Sequence, residues 1–100
     1  MKIIKVENNK KKYLDLLLLG DEQESMIDLY LDKGDMFVAA DNGVKAECVV
    51  VKCEDRVYEL KNIAVAPEFQ RMGYGKKLVE YILSYYNDCD TMYVGTGDSE

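Results

Sequence analysis

The spacing of hydrophobic and polar positions changes along the chain, and each spacing predicts a different element. Lys2–Val6 is a short apolar run bounded by two asparagines, which predicts an opening strand. Lys10–Leu19 has helical spacing and ends before a glycine. Asp21 followed by Glu24 predicts a capping box, and the apolar positions after it repeat with helical spacing as far as Gly34. Two helices are therefore expected after the first strand.

The spacing then changes to that of strands. Met36–Ala40 and Val44–Cys53 are strand-like, and an Asp-Asn-Gly sequence lies between them. Asn-Gly accepts the positive φ angles of a tight turn, so this sequence predicts a hairpin. Val57–Val65 predicts a third antiparallel strand, which Pro67 ends.

The last third of the chain returns to a helix and then to a strand. Gly73–Tyr86 has Leu78, Ile82 and Tyr85 on one face, and Thr91–Gly95 predicts the final strand. The order is therefore β-α-α-β-β-β-α-β. A meander followed by a β-α-β crossover predicts an α+β fold, or mixed α/β three-layer fold, with helices on the faces of one sheet.

Composition and charge narrow the class of partner. At 100 residues, with 48% hydrophobic and 32% charged positions, we expect one globular domain covering residues 1–100. The net charge of -6 disfavours nucleic acid or an anionic membrane as a partner and suits a cationic small molecule or a basic peptide. No segment approaches the roughly 20 apolar residues that span a bilayer. We expect a cytoplasmic protein.

Histidine is absent from the sequence, which excludes Ser-His-Asp and Cys-His nucleophiles and histidine-ligated zinc. Cys48, Cys53 and Cys89 are odd in number and lack the spacing of a metal site. We expect reduced structural thiols and no metal. Cys48 and Cys53 have an odd separation within one strand, which predicts that they point to opposite faces of the sheet.

The chemically informative segment joins the third meander strand to the following helix. Gly73 and Gly75 stand where that helix begins, and Arg71, Lys76 and Lys77 add positive charge nearby. Glycines allow close approach of the backbone, and unpaired N–H groups at a helix start favour anions, so this segment predicts a phosphate or pyrophosphate site. The alternative is a sharp strand-to-helix corner without a ligand.

This segment resembles motif A of the GNAT acetyltransferases. Ile63–Gly75 reads Ile-Ala-Val-Ala-Pro-Glu-Phe-Gln-Arg-Met-Gly-Tyr-Gly, and its last six residues match the family's loop pattern, Gln or Arg-x-x-Gly-x-Gly or Ala. The order of predicted elements is also similar. The resemblance implies the acyl-CoA N-acyltransferase fold, acetyl-CoA as cosubstrate and no metal.

The resemblance also implies roles for individual residues. The strand ending at Val65 pairs its backbone with the pantetheine arm, and the loop from Gln70 wraps the pyrophosphate with its N–H groups. The implied cofactor-binding residues are Ile63, Ala64, Val65, Gln70, Arg71, Met72, Gly73, Tyr74, Gly75 and Lys76.

Glu59 is the candidate general base. It stands fourteen positions before Gly73, where the histone-modifying branch of the family carries a glutamate that takes the proton of the acceptor amine. The alternative is a solvated strand residue that meets a lysine. Simple alternation predicts that Glu59, Lys61, Ile63 and Val65 share one face.

Compared with the family, the sequence lacks the helix after the fifth strand, which carries the usual tyrosine general acid, and the strands that follow it. We therefore expect an exposed edge at Thr91–Gly95 and a homodimer, or broader self-association, through it. The expected function is direct acetyl transfer from acetyl-CoA to a primary amine of a small molecule or peptide. The alternatives are a CoA-binding fragment or regulatory module without turnover, and an interaction domain that binds no nucleotide.

Overall fold

The computed structural model describes residues 1–94, and the predicted elements appear there in the expected order. The predicted loop at residues 95–100, and Gly95 at the end of the last predicted strand, lie outside the described part. The bounds are β1 Lys2–Val6, α1 Leu14–Gly20, α2 Glu24–Tyr30, β2 Asp35–Ala40, β3 Val44–Glu54, β4 Val57–Val65, α3 Tyr74–Tyr85 and β5 Thr91–Val94, with short 3-10 turns at Lys10–Tyr13 and Pro67–Phe69.

Within residues 1–94 the five strands form one sheet in the order β1-β2-β3-β4-β5. The first four strands are antiparallel, and α3 connects β4 to the parallel strand β5. At the hairpin between β2 and β3, Asn42 and Gly43 both have positive φ, 59° and 106°, as the Asn-Gly sequence predicts. The part of the chain that the structure describes contains no helix long and apolar enough to cross a membrane.

Helices cover both faces of the sheet and bury a separate core on each. Under α3 the core includes Phe37 and Leu60 from the sheet, with Leu78, Ile82 and Tyr86 from the helical side. The buried members of the core under α1 and α2 are Leu17, Ile27, Tyr30, Leu31, Met36, Val38 and Val49. The three-layer α+β architecture predicted from the sequence is therefore present.

One buried position of the α3 face differs from the prediction. Tyr85 contacts the ring of Phe37, with 5.1 Å between ring centroids, but it is 44% exposed. Tyr86 is the third buried position instead, at 7% exposure. Leu78 and Ile82 are spaced by four residues on one face of α3, and Tyr86, the C-cap residue whose N–H bonds the Ile82 carbonyl, continues that row.

A β-bulge interrupts the pairing of β3 and β4. Val50 faces Leu60, but Val49 faces Asn62, so Lys61 is an extra residue on β4. Beyond a bulge the alternation of side chains restarts with the opposite orientation. The two halves of β4 therefore present their odd-numbered residues to opposite faces of the sheet.

The bulge shows that one prediction was wrong. Glu59 and Lys61 lie on the side covered by α1 and α2, where both line a pocket. Ile63 and Val65 instead pack against the core under α3. These four residues do not share a face, because simple alternation fails where an extra residue is inserted.

The predicted capping box was also wrong. The N-cap of α2 is Gln23, and no side chain caps that helix. The carboxylate of Asp21 lies within 3.4 Å of the Gln23 backbone N–H, and it accepts a hydrogen bond from the Tyr30 hydroxyl at 3.2 Å. Asp21 thus connects the α1–α2 turn to the far end of α2 instead of starting the helix.

Candidate active site

The start of α3 has the backbone geometry of an anion site. Gly73 is the N-cap residue and has φ 91°, a left-handed conformation that favours glycine. A Cβ built on Gly73 would meet no atom within 4 Å, so the space beside it is open. The first N–H groups of a helix have no intrahelical partner, and the helix dipole favours negative charge there.

A pocket of about 500 Å³ lies between this helix start and the end of β4. It brings together nine of the ten residues that the resemblance assigns to the cofactor; only Met72, which is 64% exposed, does not line it. Leu19 of α1 and Phe69 also line the pocket. Phe69 lies within the motif but was not assigned a role, and Leu19 comes from a distant segment that no local pattern connects to the motif. The nine are Ile63, Ala64, Val65, Gln70, Arg71, Gly73, Tyr74, Gly75 and Lys76.

The strand edge beside this pocket is open in the described part of the chain. β5 pairs with residues 57–60 of β4, and residues 63–65 have no β5 partner within residues 1–94. On the other side, Ile63 and Val65 pair with Cys48 and Ala46 of β3. An edge with free backbone groups can accept an extended ligand as an added strand.

Two side-chain contacts brace the loop of this pocket. The Gln70 amide donates to the Val65 carbonyl at 3.2 Å, which joins the loop to the end of β4. The Tyr74 hydroxyl donates to Asp41 at 3.2 Å, which ties the first turn of α3 to the hairpin between β2 and β3. Desolvation, together with the Asp41 carboxylate, raises the pKa of Tyr74, so its hydroxyl keeps the donated proton.

A second pocket, of about 1000 Å³, lies between the α1–α2 segment, the end of β3 and the first half of β4. It adjoins the first pocket, because Leu19 lines both. Its lining residues include the carboxylates Asp21, Glu22 and Glu59 and the lysines Lys33, Lys52 and Lys61, together with Leu19, Gly20, Gln23, Met26, Leu29, Tyr30, Val51 and Cys53.

Glu59 has features of a general base and also of a strand carboxylate paired with a lysine. Its side chain is 27% exposed and opens into the second pocket, as a base would require. The Lys61 ammonium lies 3.6 Å from Glu59 Oε1, as expected for a strand carboxylate that meets a lysine. Cys53 Sγ lies 4.0 Å from the same oxygen.

Behind the second pocket runs a chain of buried hydrogen bonds. Asn62, which is fully buried beside the bulge, donates to the Leu17 carbonyl at 2.9 Å and to the Tyr30 hydroxyl at 3.0 Å. Tyr30 in turn donates to Asp21. Burial raises the pKa of Tyr30 to about 12, so the phenol stays protonated at neutral pH. These hydrogen bonds were not predicted from the sequence, although an asparagine inside an apolar strand could have drawn attention to Asn62.

The three cysteines are free thiols. Cys48 is buried under α3, and burial raises the pKa of its thiol. Cys53 is exposed and lines the second pocket on the other side of the sheet, so the predicted opposite orientation is confirmed. In residues 1–94 there is no cluster of three or more cysteine, aspartate or glutamate residues that could hold a metal ion.

Comparison with known proteins identifies the class. The family model described as "Acetyltransferase (GNAT) domain" matches residues 32–98, two thirds of the chain. The chain therefore belongs to the GNAT acetyltransferase family, and the family predicted from the motif is confirmed.

Individual relatives agree with this assignment. The chain is 35% identical over 96 residues to the Bacillus subtilis (strain 168) protein named "Uncharacterized N-acetyltransferase YvbK"; the match covers 93% of this chain and 61% of that protein. A GNAT acetyltransferase from Elizabethkingia anophelis with acetyl-CoA bound is 33% identical, with a TM-score of 0.87. A Bacillus subtilis acetyltransferase in complex with CoA is 31% identical, also with a TM-score of 0.87. Each structural match covers 99% of this chain and 67% of the other.

Proposed function

We propose that this chain binds acetyl-CoA in the first pocket and transfers its acetyl group to a primary amine, of a small molecule or peptide, held in the second. The observation that carries the proposal is the meeting of the two pockets at Leu19, with a helix start and an open strand edge on one side and Glu59 on the other. The acetyl-CoA and CoA complexes of the two similar structures support the choice of cosubstrate. We assign residues 1–100 to a single, partial acetyltransferase domain.

In this proposal the backbone of β4 holds the pantetheine arm. Its N–H and C=O groups at Ile63 and Val65 pair with the amides of the arm along the open edge, and the Val65 carbonyl does so with the lone pair that Gln70 leaves free. The N–H groups of residues 70–76 surround the pyrophosphate, where Arg71 and Lys76 add positive charge. Both cations are exposed and line the pocket, so they can reach a charged ligand at low desolvation cost.

Glu59 is the proposed general base of the reaction. The acceptor ammonium loses a proton to its carboxylate, directly or through a water, and the free amine then attacks the thioester carbon. As the C–N bond forms and the C–S bond breaks, the nitrogen loses its remaining extra proton and the CoA sulfur gains one, so CoA leaves as the thiol and the step is balanced. The rest of the rate acceleration comes from positioning the two substrates in one ternary complex, so no metal or covalent enzyme intermediate is required.

The second candidate function is a CoA-binding module without turnover. The ion pair between Lys61 and Glu59, at 3.6 Å, favours it, because the proposed base already has a partner. A thiol-release assay across a panel of amines separates the two candidates. An enzyme releases CoA only when an amine is added, whereas a binding module releases none. A cytoplasmic location is part of either proposal, and the three free cysteines support it.

The cofactor site is tested by two variants of Gly73 that introduce opposite charges. Gly73→Glu and Gly73→Lys impose the same backbone strain and similar bulk, and they differ in charge. If pyrophosphate binds there, calorimetry will show a loss of CoA affinity of about tenfold or more for the glutamate variant and a smaller loss for the lysine variant. Circular dichroism checks that both variants fold. Equal affinity of Gly73→Glu and the parent protein would contradict the proposed site.

A further inference from the structure

The second pocket has an apolar wall that acetyl transfer alone does not require. Leu19, Met26 and Leu29 line it and are 52%, 46% and 66% exposed. Large apolar side chains left in contact with water inside a concave site indicate a ligand with an apolar portion. This wall belongs to α1 and α2, and it faces the charged residues that β3 and β4 contribute.

The charges of this pocket are unevenly compensated. Lys61 contacts Glu59 at 3.6 Å, and Lys52 contacts Asp55 at 4.0 Å. Asp21, by contrast, has no lysine or arginine within 4.0 Å in the described part of the chain. Its partners are neutral, namely the Tyr30 hydroxyl and the Gln23 N–H. The pocket therefore holds a fixed carboxylate whose charge is free to bind a cation.

Lys33 is the remaining lysine of the pocket, and no ion pair within 4.0 Å joins it to Asp21 in residues 1–94. The two residues lie on either side of α2, which Asp21 precedes and Lys33 follows. Glu22, the neighbour of Asp21, also lines the pocket and adds to its negative charge at this end.

We infer that the acceptor carries a second cationic group, joined to the reacting amine by an apolar chain, as in an alkyl diamine. This inference rests on the proposed function. The reacting amine meets Glu59, the second ammonium binds Asp21, and the methylene groups lie against Leu19, Met26 and Leu29. Asp21 is then a specificity-determining residue. Tyr30 and Asn62 hold it in place through the buried hydrogen-bond chain.

Three amines that differ only at the far end test the inference. Cadaverine carries a second ammonium, pentylamine ends in a methyl group, and aminovalerate ends in a carboxylate. Each is titrated into the nitrogen-15-labelled chain with CoA present, and binding is followed by NMR shifts of the amides near Asp21 and Glu59. We expect cadaverine to bind about tenfold more tightly than pentylamine, and aminovalerate to bind most weakly.

Asp21→Asn keeps the hydrogen-bond acceptor for Tyr30 and removes the charge. We expect it to weaken cadaverine binding about tenfold and to change pentylamine binding much less. Asp28→Asn is the matched control, because Asp28 is exposed on α2, contacts Lys11 at 2.7 Å and lies outside the pocket. It should leave both affinities unchanged.

Several results would overturn the inference while leaving the proposed function intact. They are equal binding of cadaverine and pentylamine, tighter binding of aminovalerate, no effect of Asp21→Asn, or no binding of any probe by a chain that binds CoA. Loss of CoA binding by the parent chain, measured separately by calorimetry, would instead overturn the proposed function.

Discussion

Glu47 carries the most direct prediction about stability. It lies on β3 opposite Ala64, is 0% exposed, and neither of its carboxylate oxygens has a hydrogen-bond partner among the described residues. A buried carboxylate without a partner is far more stable in its protonated form. Burial accordingly raises the pKa of Glu47 from 4.5 to about 8.

This shift makes the fold less stable as the pH rises. Between pH 4.5 and about 8 the folded chain keeps a proton on Glu47 that the unfolded chain has released. The free energy of unfolding then falls by about 1.4 kcal/mol per pH unit. The accumulated loss is about 3 kcal/mol at pH 7 and about 5 kcal/mol above pH 8. Domains of this size have a total stability of roughly 5–15 kcal/mol, so the effect is large.

Glu47→Gln tests this reasoning, because glutamine has the same shape and cannot ionise. Urea denaturation at several pH values measures the free energy of unfolding of both proteins. The value for the variant minus that for the parent should rise by about 3 kcal/mol between pH 4.5 and pH 7. Glu54→Gln, at the exposed end of the same strand, is the control and should show no such trend. A difference between Glu47→Gln and the parent that stays constant with pH would refute the argument.

Three further predictions concern the base, the helix contact and the sheet edge. Glu59→Gln should lower kcat at least about tenfold near neutral pH, with a smaller loss at high pH; an unchanged pH–rate profile would make Glu59 an ordinary surface carboxylate. Gly20→Ala would put a Cβ against Asn62 Oδ1, closer than van der Waals contact, and 3.1 Å from the Ile63 carbonyl oxygen. This variant should lower the free energy of unfolding, measured by denaturation, by about 1–3 kcal/mol. Gly75→Ala should not destabilise the fold, because its Cβ would lie 3.5 Å from Val65 Cγ2, an ordinary contact. We predict a homodimer through the edge strand β5; sedimentation of a monomer of 11.4 kDa at micromolar concentration would contradict it.

The features predicted best were those that depend on residues close together in the sequence. The strands and helices follow from runs of apolar residues and from turn residues such as Asn42 and Gly43, whose positive φ angles the structure confirms. The first pocket could be anticipated for the same reason, because ten of its lining residues come from residues 63–76. A local pattern is enough to bring such residues together.

The second pocket could not be predicted, because distant segments form it. Asn62 and Leu17, which hydrogen-bond behind it, are 45 positions apart. The capping box was wrong for a related reason: the hydroxyl of Tyr30, at the far end of α2, hydrogen-bonds the Asp21 carboxylate. The bulge at Lys61 could not be read from the sequence of β4. Every second residue of the strand is buried before and after the bulge, although the buried residues point to opposite faces of the sheet on its two sides.

The bulge also has an evolutionary consequence. On β4, Glu59 and Lys61 point toward the proposed acceptor, whereas two residues later Ile63 packs into the opposite layer. Substitutions at Lys61 can therefore change the charge of the proposed acceptor pocket without disturbing the packing beneath the proposed cofactor strand. One inserted residue makes the two halves of the strand separately mutable, so the side that faces the proposed acceptor can vary while the proposed cofactor strand stays the same.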